Sequence, residues 1–307
     1  MRRTNLFLLA CLFLLPGLAW GGVDSDDLPA GSTWYFHADF GEMRDSTAGK
    51  GLYDWLDAEV FEELRTELGI DLAREADRIT AYATAETGAV IVLDGKISQE
   101  TKDKALAAAA GAEHFETLKS RGKTYYYLRG DGEVASENVE IDGLGDEWYF
   151  SFDIKNKLLV ASDKDQLETL LGNKGRIAGA KSHDGALFVL TAEKSLIQAG
   201  MDTDSFGDED GGFDSNILRN TEQVALMIAD VAGKIAIEAQ LVAAEPEMAE
   251  SLASIVRGLI ALQAFSDDMD PDVSSFLRGT RVDVDNKLLK ISVALAPEVI
   301  AAVLDDA

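Results

Sequence analysis

"DIKNKLLVAS" at residues 153–162 and "DVDNKLLKIS" at residues 283–292 are the stretches that decide the fold of this chain. Aligned at an offset of 130 residues, they share Asp, Asn, Lys, Leu, Leu and Ser. Each pattern predicts two strands joined by a tight Asn-Lys turn, because asparagine tolerates the positive φ that such turns require. Predicted hairpins around Gly88 and Gly233 correspond as well, at an offset of 145 residues. Together these matches predict an internal duplication.

The order of predicted elements around these hairpins is the same in both halves of the chain. Residues 22–178 form the first predicted α+β repeat, and residues 179–307 form the second. Each half is expected to follow a β-α-β-β-α-β order with extra strands. The predicted sheet is antiparallel, with helices packed on one face. The pattern leaves open whether the two halves share one sheet.

The N-terminus predicts export. Arg2 and Arg3 precede an apolar run that starts at Leu6, and the small residues Ala19 and Gly21 follow it. This is the layout of a secretory signal peptide, so residues 1–21 are expected to be removed from a periplasmic or secreted protein. No later stretch reaches the roughly 18 apolar residues that a membrane span needs.

Cys11 offers an alternative to plain export. The tetrad "LLAC" resembles the lipid-attachment box of bacterial lipoproteins, which would anchor the protein through Cys11. The apolar run before it, Leu6 to Ala10, is shorter than the 7 or more residues usual in a signal peptide. Cleavage after Gly21 is therefore the preferred prediction. Cleavage after Gly21 leaves a chain without cysteine, and the absence of cysteine excludes disulfides and thiolate metal sites.

The charge and the hydrophobic content of the chain limit which molecules it is expected to bind. The chain of 307 residues has 55 acidic and 28 basic residues, a formal net charge of −27. Such a surface repels phosphate backbones and anionic membranes, so nucleic acid is not an expected partner. With 47% hydrophobic residues the chain is not of the disordered class. An unknown protein or a small apolar ligand is left as the expected partner.

Four further stretches resemble a group of uncharacterised secreted bacterial proteins with a duplicated α+β architecture. They are "STWYFHADFGEMRDS" at 32–46, "LYDWLDAEVFEELRTELGID" at 52–71, "DRITAYAT" at 77–84 and "EPEMAESLASIVRGLIAL" at 245–262. The resemblance covers most of the chain outside the leader. Its motifs are packing patterns, so it implies a fold and no catalytic residue.

Catalytic signals are sparse. The chain has three histidines, His37, His114 and His183, and His37 alternates with Asp39 on one face of a predicted strand. Such a pair could act as a base and its orienting group, or His37 could be an ordinary strand histidine. No nucleophile elbow, zinc-protease motif, phosphate loop or dinucleotide fingerprint is present in the sequence. No cofactor is expected.

Aromatic residues cluster on two predicted strands. Tyr125 and Tyr127, with Trp148 or Phe150 across a hairpin, could form a recognition platform on the sheet. The alternative is ordinary cross-strand packing. The polar segment between these strands, 130–147, is absent from the second half and is a plausible contact site.

Two acidic segments are weak candidates for cation binding. The segment 202–216 begins like a calcium loop with Asp202 and Asp204, and its candidate ligands are Asp202, Asp204, Asp208 and Asp210. Phe206 and Phe213 occupy the positions where the fifth and twelfth ligands belong. The run at 267–272 lacks the turning glycine, and there Asp270 reads better as a helix cap before Pro271. Both segments are therefore interpreted as connectors, with no metal site.

These observations favour an exported, non-enzymatic binding or interaction protein of the bacterial periplasm or cell envelope. One alternative is a periplasmic carrier of an apolar or lipid-like ligand, with long apolar helices that close a cavity over the sheet. Another is a hydrolase that uses carboxylates or His37.

Overall fold

A single antiparallel sheet of twelve strands organises the described part of the chain. The structure is a computed structural model and describes residues 23, 27–62, 65–66, 69–130, 147–180, 185–197, 220–263 and 279–297. The strands are β1 (Ser32–Asp39), β2 (Ala76–Thr84), β3 (Gly88–Gly95), β4 (His114–Ser120), β5 (Lys123–Arg129), β6 (Glu147–Ser151), β7 (Lys157–Ala161), β8 (Ala186–Glu193), β9 (Thr221–Val231), β10 (Lys234–Ala243), β11 (Arg281–Asp285) and β12 (Leu288–Leu295).

The two halves of the chain contribute to this one sheet. Its strand order is β11-β12-β10-β9-β8-β1-β2-β3-β7-β6-β5-β4. Strand β1 pairs antiparallel with β8, with Phe36 opposite Leu190 and His37 opposite Val189. Moving outward from this junction, the order β1-β2-β3-β7-β6 on one side corresponds to β8-β9-β10-β12-β11 on the other. The hairpin β4–β5 extends the first half alone.

The turns of the two corresponding hairpins form as the sequence predicts. Asn156 has φ 60° between β6 and β7, and Asn286 has φ 54° between β11 and β12. Gly88 and Gly233, at the other predicted pair of hairpins, have φ 72° and 78°. A short asparagine or an unsubstituted glycine occupies the left-handed region at little steric cost, which is why these residues set both turns.

Helices connect the strands, and three of those in the described residues begin at a side-chain cap. They are α1 (Phe40–Asp45), α2 (Gly49–Leu56), which continues into a π-helical turn at Asp57–Phe61, α3 (Leu72–Glu75), α4 (Gln99–Ala109), α5 (Lys164–Gly172) and α6 (Pro246–Gln263). The side chains of Asp39, Ser98 and Asp163 accept hydrogen bonds from backbone N–H groups in the first turns of α1, α4 and α5. Such caps satisfy donors that have no partner within the helix.

Helices pack on both faces of the sheet. Helices α1 and α2 and the π-helical turn bury Met43, Tyr53 and Phe61 on the face that carries Ala38 and Leu93. Helix α6 packs on the same face, and Leu252 and Ala253 lie in one cluster with Leu289 of β12. The expectation of helices on one face holds for these elements. Helix α5 packs on the opposite face, which carries Val90 and Leu159.

The α+β class and the antiparallel sheet of the sequence-based prediction are confirmed. In the described part of the chain, no helix combines the length and the apolar character that crossing a membrane requires. The signal peptide predicted for residues 1–21 and Cys11 lie outside the described residues.

Candidate functional site

Three turns meet at one end of strands β4 to β7 and enclose a groove of about 620 Å³. The β4–β5 turn, the β6–β7 turn and the end of α5 each contribute lining residues. Five of these residues are basic, and together they define what we call the basic groove: Arg121, Lys123, Lys155, Lys157 and Lys174. The volume is within the range of small-molecule sites, which is roughly 300 to 1,000 Å³.

Helix α5 is held in place by its apolar side chains. Leu167, Leu170 and Leu171 are buried in a cluster with Leu159 of β7 and with Tyr125 of β5. This packing carries the C-terminal end of α5 to the same end of the sheet as the two strand turns. The basic groove therefore rests on buried elements, although its charged side chains lie at the surface.

A close backbone approach fixes the chain just beyond α5. A Cβ atom on Gly175 would lie 2.6 Å from Cδ of Lys157 and 2.9 Å from Cδ2 of Leu159. Any larger residue would have to displace these side chains, and the φ of 70° at Gly175 lies in the left-handed region that favours glycine. The amide of Gly175 donates to the carbonyl of Leu170 at 2.7 Å and so closes the end of the helix.

Two of the groove cations lie on residues with left-handed backbone. Arg121 has φ 48° in the β4–β5 turn, and Lys174 has φ 57° immediately after α5. Left-handed backbone costs about 1 to 2 kcal/mol for a residue other than glycine, asparagine or aspartate. Neither side chain has a short polar group that could reduce this cost by a local hydrogen bond. The strain is therefore tolerated at two turns that both present a positive charge to the groove.

Two carboxylates also line the basic groove, and each accepts hydrogen bonds from neutral donors. Glu168 accepts from the Tyr125 hydroxyl at 2.9 Å, and Asp153 accepts from the amide of Thr124. The hydrogen bonds from Tyr125 and then from Ser120 lower the pKa of Glu168 below its usual value. A depressed pKa means that Glu168 contributes stability above its unfolded-state pKa and loses that contribution as the pH falls through the folded-state value.

The five cations differ in how far neighbouring groups neutralise them. Lys157 forms an ion pair with Asp94, and Lys123 donates to the carbonyl oxygen of Asp153 at 3.1 Å. Within the described ranges, no salt bridge joins Arg121, Lys155 or Lys174 to an acidic side chain, and all three residues are exposed. Lys155 and Lys174 thus present positive charge to the groove without a salt bridge, whereas Arg121 also interacts electrostatically with the Glu168 carboxylate and helps to lower its pKa.

The structure gives His37 and Asp39 separate roles. Nδ1 of His37 lies 2.9 Å from Oγ1 of Thr80, its neighbour on β2. Asp39 caps α1 by accepting from the amide of Glu42 at 2.9 Å, and its other carboxylate oxygen accepts from Nε of Arg78 at 2.8 Å. The carboxylate of Asp39 is therefore engaged in capping and ion pairing.

His114, the other histidine among the described residues, pairs with a carboxylate on its own strand. Nε2 of His114 lies 2.8 Å from Oε1 of Glu116 on the same strand, and both side chains are largely exposed. His183 lies outside the described residues.

The aromatic platform predicted from Tyr125, Tyr127, Trp148 and Phe150 does not form, because these residues lie on opposite faces. Leu128 is opposite Trp148 and Tyr126 is opposite Phe150, so the two tyrosines point away from both. Tyr126 stacks on Phe150 at 5.1 Å between ring centroids, and Tyr125 is buried under α5. Cross-strand packing, the alternative reading, describes these residues.

Asp202, Asp204, Asp208 and Asp210, together with the run at 267–272, lie outside the described residues. Among the described residues, no group of three or more His, Cys, Asp or Glu side chains is arranged to hold a metal ion.

Sequence reasoning missed the basic groove, although a local signal was present. The groove cations come from "KSRGK" at 119–123, "KNK" at 155–157 and "KGR" at 174–176, three short basic segments in a strongly acidic chain. Each segment spans a turn. A search for turn segments whose charge is positive, opposite in sign to the net charge of the chain, would have found them.

Comparisons with known proteins give a likeness of fold only. No family model matches the chain, and no curated protein matches it. Among solved structures, crystal forms III, I and IV of a protein called TP0453 are similar, with 9%, 10% and 11% sequence identity and TM-scores of 0.46, 0.47 and 0.46. Each alignment covers 93% of this chain and 98% or 99% of the other. This likeness carries no argument about function.

Proposed function

We propose that this protein is an exported, non-enzymatic binding protein of the bacterial periplasm or cell envelope, and that the basic groove is its ligand site. The observation that carries the proposal is the basic groove itself, where five basic side chains against two acidic ones line a site-sized volume and, within the described ranges, no salt bridge engages Arg121, Lys155 or Lys174. Export is supported by the N-terminal sequence alone, with its arginine pair, apolar run and small residues before Gly22.

Binding can be tested with a variant of the groove and a matched control. The groove variant carries Lys155→Gln and Lys174→Gln, two exposed lysines in turns of the first half. The control variant carries Lys234→Gln and Lys287→Gln, two exposed lysines at hairpin turns of the second half. Both variants change the net charge equally, so any difference between them reports the position of the lysines.

Each protein is dialysed against the small-molecule fraction of a bacterial extract, and retained compounds are identified by mass spectrometry. We expect the mature protein and the control variant to retain a compound with unaltered mass that the groove variant does not retain. Conversion of the compound to a product of different mass would contradict the non-enzymatic proposal. Retention by all three proteins would place the ligand site elsewhere.

Export is tested by expression of the full chain in a Gram-negative host, followed by osmotic-shock fractionation and N-terminal sequencing. We expect a periplasmic chain that begins at Gly22. A chain that begins at a lipid-modified Cys11, or one kept uncleaved in the cytosol, would contradict the proposal.

The hydrolase alternative makes a different prediction at His37. We expect His37→Ala to lower the free energy of unfolding by about 1 kcal/mol, since the contact with Thr80 is lost, and to leave ligand retention unchanged. Urea unfolding and the dialysis assay measure the two effects. Loss of a measurable activity in a variant of unchanged stability would favour the hydrolase instead.

A further inference from the structure

We infer that the basic groove recognises a small, multivalent oxyanion, a molecule that carries at least two phosphate or carboxylate groups. This inference rests on the proposed function and names the ligand class of the same site. It starts from a contrast in charge. The chain as a whole carries −27, whereas five basic and two acidic side chains line the groove and leave a local surplus of positive charge.

The number and placement of the cations indicate more than one anionic group. Arg121, Lys155 and Lys174 come from three different turns and therefore approach the groove from three directions. The groove volume of about 620 Å³ leaves room for a ligand larger than a single monovalent anion. A ligand with two or more separated anionic groups could satisfy them together.

Side-chain chemistry supports phosphate or carboxylate groups in particular. The planar guanidinium of Arg121 presents paired donors that match two oxygens of one such group. Lys155 and Lys174 act as flexible point charges, which suit a second anionic group at variable distance. The groove also contains the apolar side chains of Ile154 and Leu171, which are largely buried. They would contact the uncharged body of the ligand.

The surroundings of the groove favour a small ligand over a polymer. Beyond the groove an extended polyanion such as nucleic acid would meet a strongly acidic protein. At physiological ionic strength the Debye length is about 8 Å, so a compact ligand feels mainly the groove cations. A long polymer would also extend beyond the groove over a protein whose net charge is −27.

A purely structural role for Arg121 is the competing explanation. Nη1 of Arg121 lies 3.4 Å from the point where a Cβ of Gly172 would lie, so its guanidinium is close to the C-terminal end of α5. A cation there stabilises a helix by interacting with its dipole. That role predicts a loss of stability on replacement and no effect on anion binding. Lys155 is not in α5 or the turn that follows it, so this explanation does not extend to Lys155.

Calorimetric titration of the mature protein tests the inference. The probes are inorganic pyrophosphate and citrate, which separate phosphate from carboxylate recognition, in 150 mM NaCl at pH 7.5. We expect at least one probe to bind to the wild type and to bind at least ten-fold more weakly to the groove variant, Lys155→Gln with Lys174→Gln. The control variant, Lys234→Gln with Lys287→Gln, should bind as the wild type does.

Arg121 is examined by two further variants. We expect Arg121→Gln to weaken binding at least ten-fold and Arg121→Lys to recover part of it, because a charge remains but the paired donors are lost. Melting temperatures show whether each variant is folded. If Arg121→Gln lowers only the melting temperature and leaves binding unchanged, its role is structural and the inference is wrong for this residue.

Three outcomes would overturn the inference as a whole. Neither probe binds to the wild type, or the groove variant binds as tightly as the wild type, or the control variant loses as much affinity as the groove variant. The last result would indicate nonspecific attraction. If the probes fail while the groove still determines which extract compound is retained, the oxyanion assignment fails and the proposed binding function stands.

Discussion

Replacement of Lys290 by alanine is expected to lower the free energy of unfolding by about 3 kcal/mol. Lys290 on β12 is the ionic partner of Glu238 on β10, with Nζ 3.1 Å from Oε1. Glu238 is 3% exposed in the middle of the second half of the sheet. Nε2 of Gln240 also donates to Oε1 of Glu238, at 2.7 Å.

The expected loss of stability is large because Lys290→Ala leaves the buried carboxylate of Glu238 without its ionic partner. Without Lys290 a buried carboxylate keeps one neutral donor, Gln240, and loses its counter-charge. Removing one member of a buried pair costs about 3 to 5 kcal/mol, chiefly because the other charge is left uncompensated. Lys290 is itself 27% exposed, so water reaches the site and the lower end of the range applies.

Lys194→Ala is the matched control. It breaks the ion pair between Lys194 on the chain after β8 and Glu222 on β9, whose side chains are 37% and 46% exposed. Exposed pairs of this kind are worth less than about 1 kcal/mol. Urea unfolding of both variants gives the comparison. Equal losses of stability in Lys290→Ala and Lys194→Ala would show that Glu238 is not held as a buried charge. The double variant Glu238→Gln with Lys290→Met removes both charges, so it should recover most of the stability that Lys290→Ala loses.

Local turn chemistry made part of the fold predictable. Asn156 and Asn286 have the left-handed backbone that the repeated Asn-Lys turns require, so both hairpins follow from short-range signals. The cap at Ser98 and the strand at Gly88–Gly95 are likewise set by residues close in the chain. The sharing of one sheet by the two halves was not predictable. The pairing of β1 with β8 joins strands that are about 150 residues apart, and no single turn connects them to give a local signal.

Register explains why the aromatic residues pack across strands and do not form a platform. Tyr127 is opposite Tyr149, and Leu128 is opposite Trp148. A shift by one residue would have put Trp148 opposite Tyr127, on the same face. Since the side-chain period of a strand is two, a single step of register moves every side chain to the other face. The long polar segment 130–147 between these strands gives no turn geometry from which the register could be deduced.

The basic groove escaped prediction for a related reason. Its cations lie in segments around residues 121, 155 and 174, and only the packing of α5 brings them together. The net charge of the whole chain is −27, which suggests that the entire surface repels anions. Charge distribution in space, which depends on tertiary contacts, decides what a protein binds.

Alkaline pH is expected to destabilise this protein between about pH 10 and pH 12, through two buried tyrosines. Tyr35 and Tyr125 are 2% and 1% exposed. Burial raises the pKa of Tyr35 to about 12, against a smaller opposing effect of Arg78. Burial, and next the hydrogen bond to Glu168, raise the pKa of Tyr125 to about 12. Both hydroxyls therefore stay protonated in the folded protein at a pH at which an unfolded tyrosine ionises.

The sign of the effect follows from proton linkage. A tyrosine with a folded-state pKa above its unfolded value of about 10 contributes stability that is fully present below pH 10. That contribution is lost as the pH rises towards the folded-state pKa. Each of the two tyrosines should lower the free energy of unfolding by about 1.4 kcal/mol per pH unit across this interval. The pair would then account for about 5 kcal/mol, a large part of the stability of an ordinary domain.

Urea unfolding at pH 9, 10, 11 and 12, with phenolate absorbance followed in parallel, measures this loss. We expect the double variant Tyr35→Phe with Tyr125→Phe to lose much less stability than the wild type above pH 10, because phenylalanine has no proton to release. At pH 7 the same variant should be less stable by about 1 kcal/mol, since the hydrogen bond from Tyr125 to Glu168 is absent. The two stability curves should therefore cross. Parallel curves from pH 9 to pH 12 would show that neither hydroxyl is kept protonated by the fold.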